Sequence, residues 1–265
     1  MRKLAFILVF VMLLCSCGAN ESAVSDDSLI QKVATLEEAV SAFLLEDNKD
    51  GYHPGECCGE GHLILGTEEK DGETVVYLLT MYGEYGFAND KFIKVSGSGV
   101  IPAVMILEKN EEGYKGKSVR YPDDGAYYEK SIKEMFPSQY HEATLETAHT
   151  FYDELDSQEK QYAREYLEKI GREAEVCDYA DLDTRVLTSC GVPVETSNML
   201  INHPDLAGYP LYVGKEERIE SGERVVYEVS VDEAATEITY CKYSYDNPSD
   251  IKENFIFDKY GNKKE

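Results

Sequence analysis

The sequence predicts an α+β protein: an antiparallel meander sheet packed with helices, a central helical segment and a C-terminal antiparallel β portion. Three observations carry that class. Apolar residues recur at helical spacing in two separate stretches, around residues 36–44 and 145–170. Elsewhere, short apolar or β-branched runs are punctuated by Gly, Asn and Asp turn signals. Helices and hairpins are segregated, without the regular alternation of β and α that a doubly wound fold or a two-lobed solute receptor needs.

At the start of the chain, Arg2 and Lys3 precede an unbroken apolar run from Leu4 to Leu14. That run is far short of the roughly 20 residues needed to span a bilayer, and it reads as a signal peptide. It ends in Leu14, Cys15, Ser16, Cys17 and Gly18, which resembles the lipobox of bacterial lipoproteins. Cys17 is the expected lipidation site because small Ser16 precedes it, whereas Cys15 follows bulky Leu14. A thioether-linked diacylglyceryl group brings two acyl chains, enough for stable anchoring where one is marginal. The expected organisation is a signal peptide at 1–16 and a lipidated Cys17 with a flexible tether at 17–34. An α+β portion at 35–137, a helical segment at 138–175 and a β-rich portion at 176–265 follow.

Composition limits the partners. The 265 residues include 51 acidic and 26 basic side chains, a net charge of −25, which repels a phosphate backbone and excludes nucleic acid. The expected location is the extracytoplasmic face of the cell membrane, held by the lipid, with an envelope protein or peptide as the partner class.

Within the exported part, Thr35 and Glu38 form a capping box before Leu36, Ala39, Val40, Phe43 and Leu44, predicting a helix over about 35–46. A loop with Gly51, Pro54, Gly55 and Gly59 follows. Strands are then predicted at 62–68, 74–85, 91–95, 100–108 and 114–121, with 75–81 apolar on both faces and therefore central. Residues 127–136 read as a short helix stopped by Pro137. A longer pattern covers 139–170 and ends at Gly171, either as one helix or as a hairpin broken near Asp156 and Ser157. Val225, Tyr227, Val229 and Val231 alternate as a strand, and 236–245 and 254–258 continue the sheet.

The most suggestive chemical cluster is His53, Cys57, Cys58 and His62 in the loop entering the first strand. Thiolate and imidazole ligands suit zinc or copper, and an envelope hydrolase with a metal or thiol site in this 53–62 loop is the alternative function. Adjacent cysteines rarely point at one ion, so a packed cysteine or a disulfide is the plainer expectation, and no metal or cofactor is assigned. Cys57, Cys58, Cys177, Cys190 and Cys241 are an odd number besides Cys17, so they cannot all pair within the chain. Glu46, Asn48, Asp50 and Gly51 imitate the start of a calcium loop, but Cys57 stands where the bidentate Glu belongs. His141 and Glu142 open an HExxH pattern whose second His is missing, since position 145 is Leu. Ser157 and Lys160 make an SxxK spacing on a charged helical face, without a KTG triad. Twenty tyrosines and no tryptophan fit a binding groove, but strand preference explains them more simply.

Several runs carry a wider likeness: HLILGTEE (62–69), MYGEYGF (81–87), VSGSGVIPAV (95–104), DDGAYYEKSIKEMFP (123–137) and YPLYVG (209–214). In this order, over about residues 36–258, they resemble the extracytoplasmic C-terminal region of Gram-positive membrane metallopeptidases of the β-lactam-sensor and antirepressor type. They also resemble stand-alone lipoproteins carrying that region. The resemblance implies a module that rides beside a membrane peptidase domain and senses or binds something outside the cell. This chain lacks the HExxH zinc site, so peptidase activity is not implied. The expected function is a noncatalytic binding or sensory-accessory module of the envelope.

Overall fold

The computed structural model describes residues 34–111 and 113–264. The expected signal peptide, the Cys17 lipidation site and the tether up to residue 33 lie outside the described residues. Helix α1 (Leu36–Asn48) begins at the predicted capping box: Thr35 Oγ1 accepts from the Glu38 N–H at 3.2 Å, and Glu38 Oε2 accepts from the Thr35 N–H at 2.9 Å.

The sheet opens with β1 (Cys57–Lys70) and β2 (Glu73–Ala88), joined by Asp71 and Gly72. Both turn residues have positive φ, 55° and 84°, which matches the turn to the right-handed twist of the flanking strands. Next come β3 (Lys91–Gly97), β4 (Ile101–Asn110) and β5 (Gly113–Arg120), so all five predicted strands are present. One feature departs from a plain meander. β2 is long enough to seat two shorter strands on one edge, β4 over Glu73–Thr80 and β3 over Gly83–Ala88. Its other edge carries β1 from Glu73 to Tyr85. β2 is therefore the central strand expected from its two apolar faces.

Helix α2 (Tyr128–Met135) stops at extended Phe136, before Pro137, as predicted. The pattern over 139–170 is not one helix: short 3-10 and π turns occupy 138–151, and α3 (Tyr152–Ile170) follows. The break falls at Thr147, where φ is −114° and ψ 2°, rather than at Asp156 and Ser157, which lie inside α3. Thr144 and Thr147 hydroxyls donate to the carbonyls of Tyr140 and Glu142 at 2.9 and 3.2 Å, competing with regular helix geometry. Gly171 caps α3 in the left-handed region, with φ 68°.

Strand β6 (Val176–Asp178) then pairs parallel to β3, and α4 (Val194–Ile201) precedes β7 (Gly214–Glu220), β8 (Glu223–Val231), β9 (Glu237–Ser244) and β10 (Ile251–Asp258). β6, α4 and β7 have no counterpart in the sequence prediction. β6 is three residues long, and β7 reads GKEERIE, a charged run without an apolar alternation. The ten strands form one sheet, ordered β10-β9-β8-β7-β2-β3-β6, with β1 and the β4–β5 pair also attached to β2. This sheet joins the 35–137 and 176–265 portions, and the described residues belong to one compact unit.

Side-chain alternation along β2 separates two cores. Val76 and Leu78 face α1 and pack with Val40, Leu44, Ala103, Met105 and Leu107. Leu79, Met81, Tyr85 and Phe87 face α3 and meet Leu155, Ala163 and Leu167. The predicted Val225, Tyr227 and Val229 face is real: with Ile238, Tyr240 and Phe257 it packs under Leu200 of α4.

Glycines let α3 lie directly on the strands. Gly59 pairs with Gly83 and Gly83 with Gly97, so a row without side chains crosses three strands. A Cβ at Gly59 would sit 2.5 Å from the Glu159 carbonyl oxygen. Fully buried Glu159 lies over this furrow, accepting from Lys94 Nζ at 2.8 Å and from Tyr85 OH at 2.7 Å.

Candidate functional site

The four residues singled out as possible ligands do not converge. β1 starts at Cys57, earlier than predicted, so Cys57 and Cys58 project from opposite faces of an extended strand. Cys57 packs with Tyr85, Phe92 and Leu167, and burial pushes its thiol up to about 12, reinforced by the charges of Cys58, Glu56 and Glu84. Cys58 lies against Tyr82 on the α1 face. The His53 backbone N–H donates to Ser96 Oγ at 3.2 Å, and the residue is exposed. His62 is held elsewhere, between Glu60 (Nδ1 to Oε2, 2.9 Å) and Glu37 of α1 (Nε2 to Oε2, 2.6 Å). These four side chains are thus not gathered around one metal position. Among the described residues, no group of three or more His, Cys, Asp or Glu side chains is gathered to hold a metal ion.

The other sequence candidates resolve into structural roles. Cys57, Cys58, Cys177, Cys190 and Cys241 are all free thiols. Glu46 bonds Lys49, and Asn48 donates to the Leu44 carbonyl, closing the end of α1 rather than a calcium loop. The His141 ring meets the Phe136 carbonyl. Lys160 bonds Asp156 at 2.8 Å and Asp178 at 3.0 Å, so it is engaged away from Ser157. Tyr82, Tyr85 and Tyr240 are buried sheet residues, as strand preference suggested.

The best-formed cavity arises where two strands meet on one edge of β2. β1 leaves that edge at Tyr85, while β7 touches it at a single pair, Ala88 with Glu216, and continues to Glu220 without pairing β2 again. The space between the diverging strands is a cleft of about 560 Å³, within the usual range of small-ligand sites. One wall is His53–Glu56, the other Glu216–Glu220, and the floor includes Gly86, Phe87, Ile93 and Val95, with Tyr179 also on the lining. Val95, Tyr179 and Ile219 are large apolar side chains left exposed in this one region.

A charge network ties the two walls together. Glu217 receives both guanidinium nitrogens of Arg172, at 2.6 and 3.1 Å, and Arg224 Nη1 at 3.1 Å. Arg224 also grips Glu56, with Nη2 2.8 Å from Oε2. Both carboxylates are almost completely buried. The two guanidinium groups lie over the Phe87 ring, at 3.5 and 5.1 Å, and over Tyr245. Such planar, bidentate pairing holds a buried carboxylate where a point charge would not.

On the opposite face of β7, Glu216 pairs with Arg218 at 2.9 Å, and Glu220 accepts from Lys242 at 2.7 Å and from Tyr227. Arg218 lies 4.6 Å from the centre of the Tyr227 ring. Among the described residues, no Ser, Thr or Cys nucleophile lines the cleft, and no hydrogen bond orients the His53 ring. What this arrangement supplies is apolar surface beside firmly placed charges, which suits binding.

Sequence reading found only His53 among the cleft residues. Glu216–Glu220 look like a solvated charge run, and only the pairing of β7 with β8 and with Ala88 places them on a wall. Arg172 follows the Gly171 cap, which carries no hint of a partner 45 residues away in Glu217. Comparison with protein-family models, curated proteins and solved structures finds no match to this chain.

Proposed function

We propose that this chain is a lipid-anchored, extracytoplasmic bacterial lipoprotein that acts as a noncatalytic binding or sensory-accessory module, with the strand-junction cleft as its binding site. The observation that carries the binding role is the cleft itself. It pairs ligand-sized volume and exposed Val95, Tyr179 and Ile219 with charges already fixed in ion pairs, and no nucleophile is set against a base. The anchor rests on the LCSCG sequence around Cys17, and the accessory role on the resemblance to the region that accompanies membrane peptidases. None of the helices among the described residues is long and apolar enough to cross a membrane, which is compatible with attachment through lipid.

The test has two arms. Cys17→Ser is expected to abolish incorporation of a palmitate analogue and to move the protein from the membrane fraction to the soluble one. Val95→Trp, which fills the cleft from its floor, is expected to erase thermal-shift hits found with the parent protein in an envelope-extract ligand screen. Unchanged fractionation of Cys17→Ser removes the anchor, and hits that survive Val95→Trp remove the cleft.

A further inference from the structure

The cleft has a charge pattern as well as a volume. Glu216, Arg218 and Glu220 alternate along β7 and share the face on which Tyr227 lies, giving a carboxylate, a guanidinium and a carboxylate at two-residue spacing. At a rise of about 3.4 Å per residue, Glu216 and Glu220 are roughly 14 Å apart along the strand. Glu220 is 40% exposed and Glu216 26%, so both keep open acceptor positions beyond their present partners. Glu56 and Glu217, at 4%, are already saturated by arginine and serve to hold the walls. Between the walls, Val95 and Ile219 remain 38% and 48% exposed. Outside the cleft, a chain of net charge −25 draws cations toward itself over distances of a Debye length.

Resting on the binding-module reading above, we infer that the ligand of this cleft is an extended cationic peptide with basic side chains at positions i and i+4, a non-basic residue at i+2 and aliphatic residues between them. The spacing follows from β7. An extended ligand advances at the same rise as the strand, so cations four residues apart meet Glu216 and Glu220, while a third cation at i+2 would be set against Arg218. The intervening aliphatic side chains, which alternate to the other face, meet Ile219, while Val95 lies on the floor of the cleft on the Glu216 side. Backbone and charge together select the peptide over a lone amine, which can satisfy one carboxylate only.

The experiment titrates the full-length lipoprotein in detergent with three blocked pentapeptides, followed by isothermal calorimetry and by NMR of the peptide. The probes are acetyl-Lys-Val-Ser-Val-Lys-amide, its charge-reversed form with Glu at both ends, and a third with Lys also at the centre. The first is expected to bind at least tenfold more tightly than the other two and to weaken several-fold between 50 and 300 mM salt. Glu220→Gln, a surface change that preserves shape, is expected to weaken it by about five- to tenfold, and Val95→Trp to abolish it. Equal or tighter binding of the charge-reversed or central-Lys peptide, lost in Val95→Trp, overturns the ligand class while leaving the cleft as the binding site. Binding of the first peptide that is indifferent to both variants overturns the cleft, and no binding of it at 1 mM overturns the inference outright. Should Val95→Trp fail to fold, Glu220→Gln and the peptide series decide the matter alone.

Discussion

Gly61→Ala should loosen the molecule at the place where helix and sheet touch most closely. Gly61 lies on β1 with φ outside the left-handed region, so its requirement for glycine is steric rather than conformational. A Cβ built there would be 2.8 Å from the Leu155 carbonyl carbon and 2.9 Å from its Cα, and nearer still to its oxygen. These are backbone atoms of α3, which no rotamer change can move. Carbon pairs sit best at about 3.5–4.0 Å, so α3 must retreat by roughly 0.7–1 Å at this turn. A gap of that size forfeits about a quarter to a half of each dispersion contact beneath it. The contacts affected are those of Leu155, whose side chain is fully buried against Leu79 and Met81. With 40–60 contacts of about 0.1–0.2 kcal/mol for a buried Leu, the loss is on the order of 1–6 kcal/mol, and the overpacking costs typical of protein cores, about 1–3 kcal/mol, place it in the lower half of that range. Stiffening of the unfolded chain by alanine returns about 0.4–1 kcal/mol. The net is about 2 kcal/mol, or a Tm lowered by roughly 4–8 °C for a chain of this size. Scanning calorimetry should show that drop, whereas Gly99→Ala, whose Cβ meets nothing within 4 Å, should hold or slightly raise Tm. If Gly61→Ala melts within 1 °C of the parent, the close approach of α3 to β1 is wrong.

Other consequences follow from buried charge. Burial by itself lowers the pKa of His62, but the hydrogen bonds and charges of Glu60 and Glu37 outweigh it and hold the ring above its ordinary value. The folded value therefore exceeds the unfolded one. The stabilisation is complete below about pH 6.5 and fades as pH rises through the folded value, so denaturant midpoints of the parent should fall over that range more than those of His62→Gln. Lys94→Ala leaves Glu159 buried with Tyr85 but no cation and should cost about 3–5 kcal/mol at pH 7. Burial already raises the Glu159 pKa, so that cost should shrink on acidification as the carboxyl takes up a proton, measured by urea unfolding at pH 5 and 7. Cys57, with its thiol pushed from 9.0 to about 12, has about a thousandfold less thiolate at a given pH. Higher intrinsic nucleophilicity recovers part of that, leaving alkylation by iodoacetamide roughly 50-fold slower than for an unperturbed thiol, as peptide mapping of the native protein would show.

Local chemistry was legible wherever it needed no distant partner. The capping box at Thr35 and Glu38, the stop before Pro137 and the cap at Gly171 each depend on a few neighbouring residues, and each stands where the sequence places it. The two apolar faces of residues 75–81 identified the central strand, because only a strand covered on both sides is apolar on both. The HxxxCCxxxH spacing offers converging ligands only if it lies on a loop. On a strand the same spacing sends neighbouring cysteines to opposite faces.

The α+β class, the order of the main helices and strands, and the alternations that fill the cores are legible along the chain, since propensity, capping and hydrophobic period act over a few residues. That β1 and β7 share an edge of β2, that Arg172 and Arg224 clasp Glu217 and Glu56, and that a cleft opens between them emerge only once the chain is folded. The difference is one of range. Strand pairing and ion pairing bring together residues up to 168 positions apart, and no local pattern records which distant edge or charge will satisfy a given backbone or carboxylate.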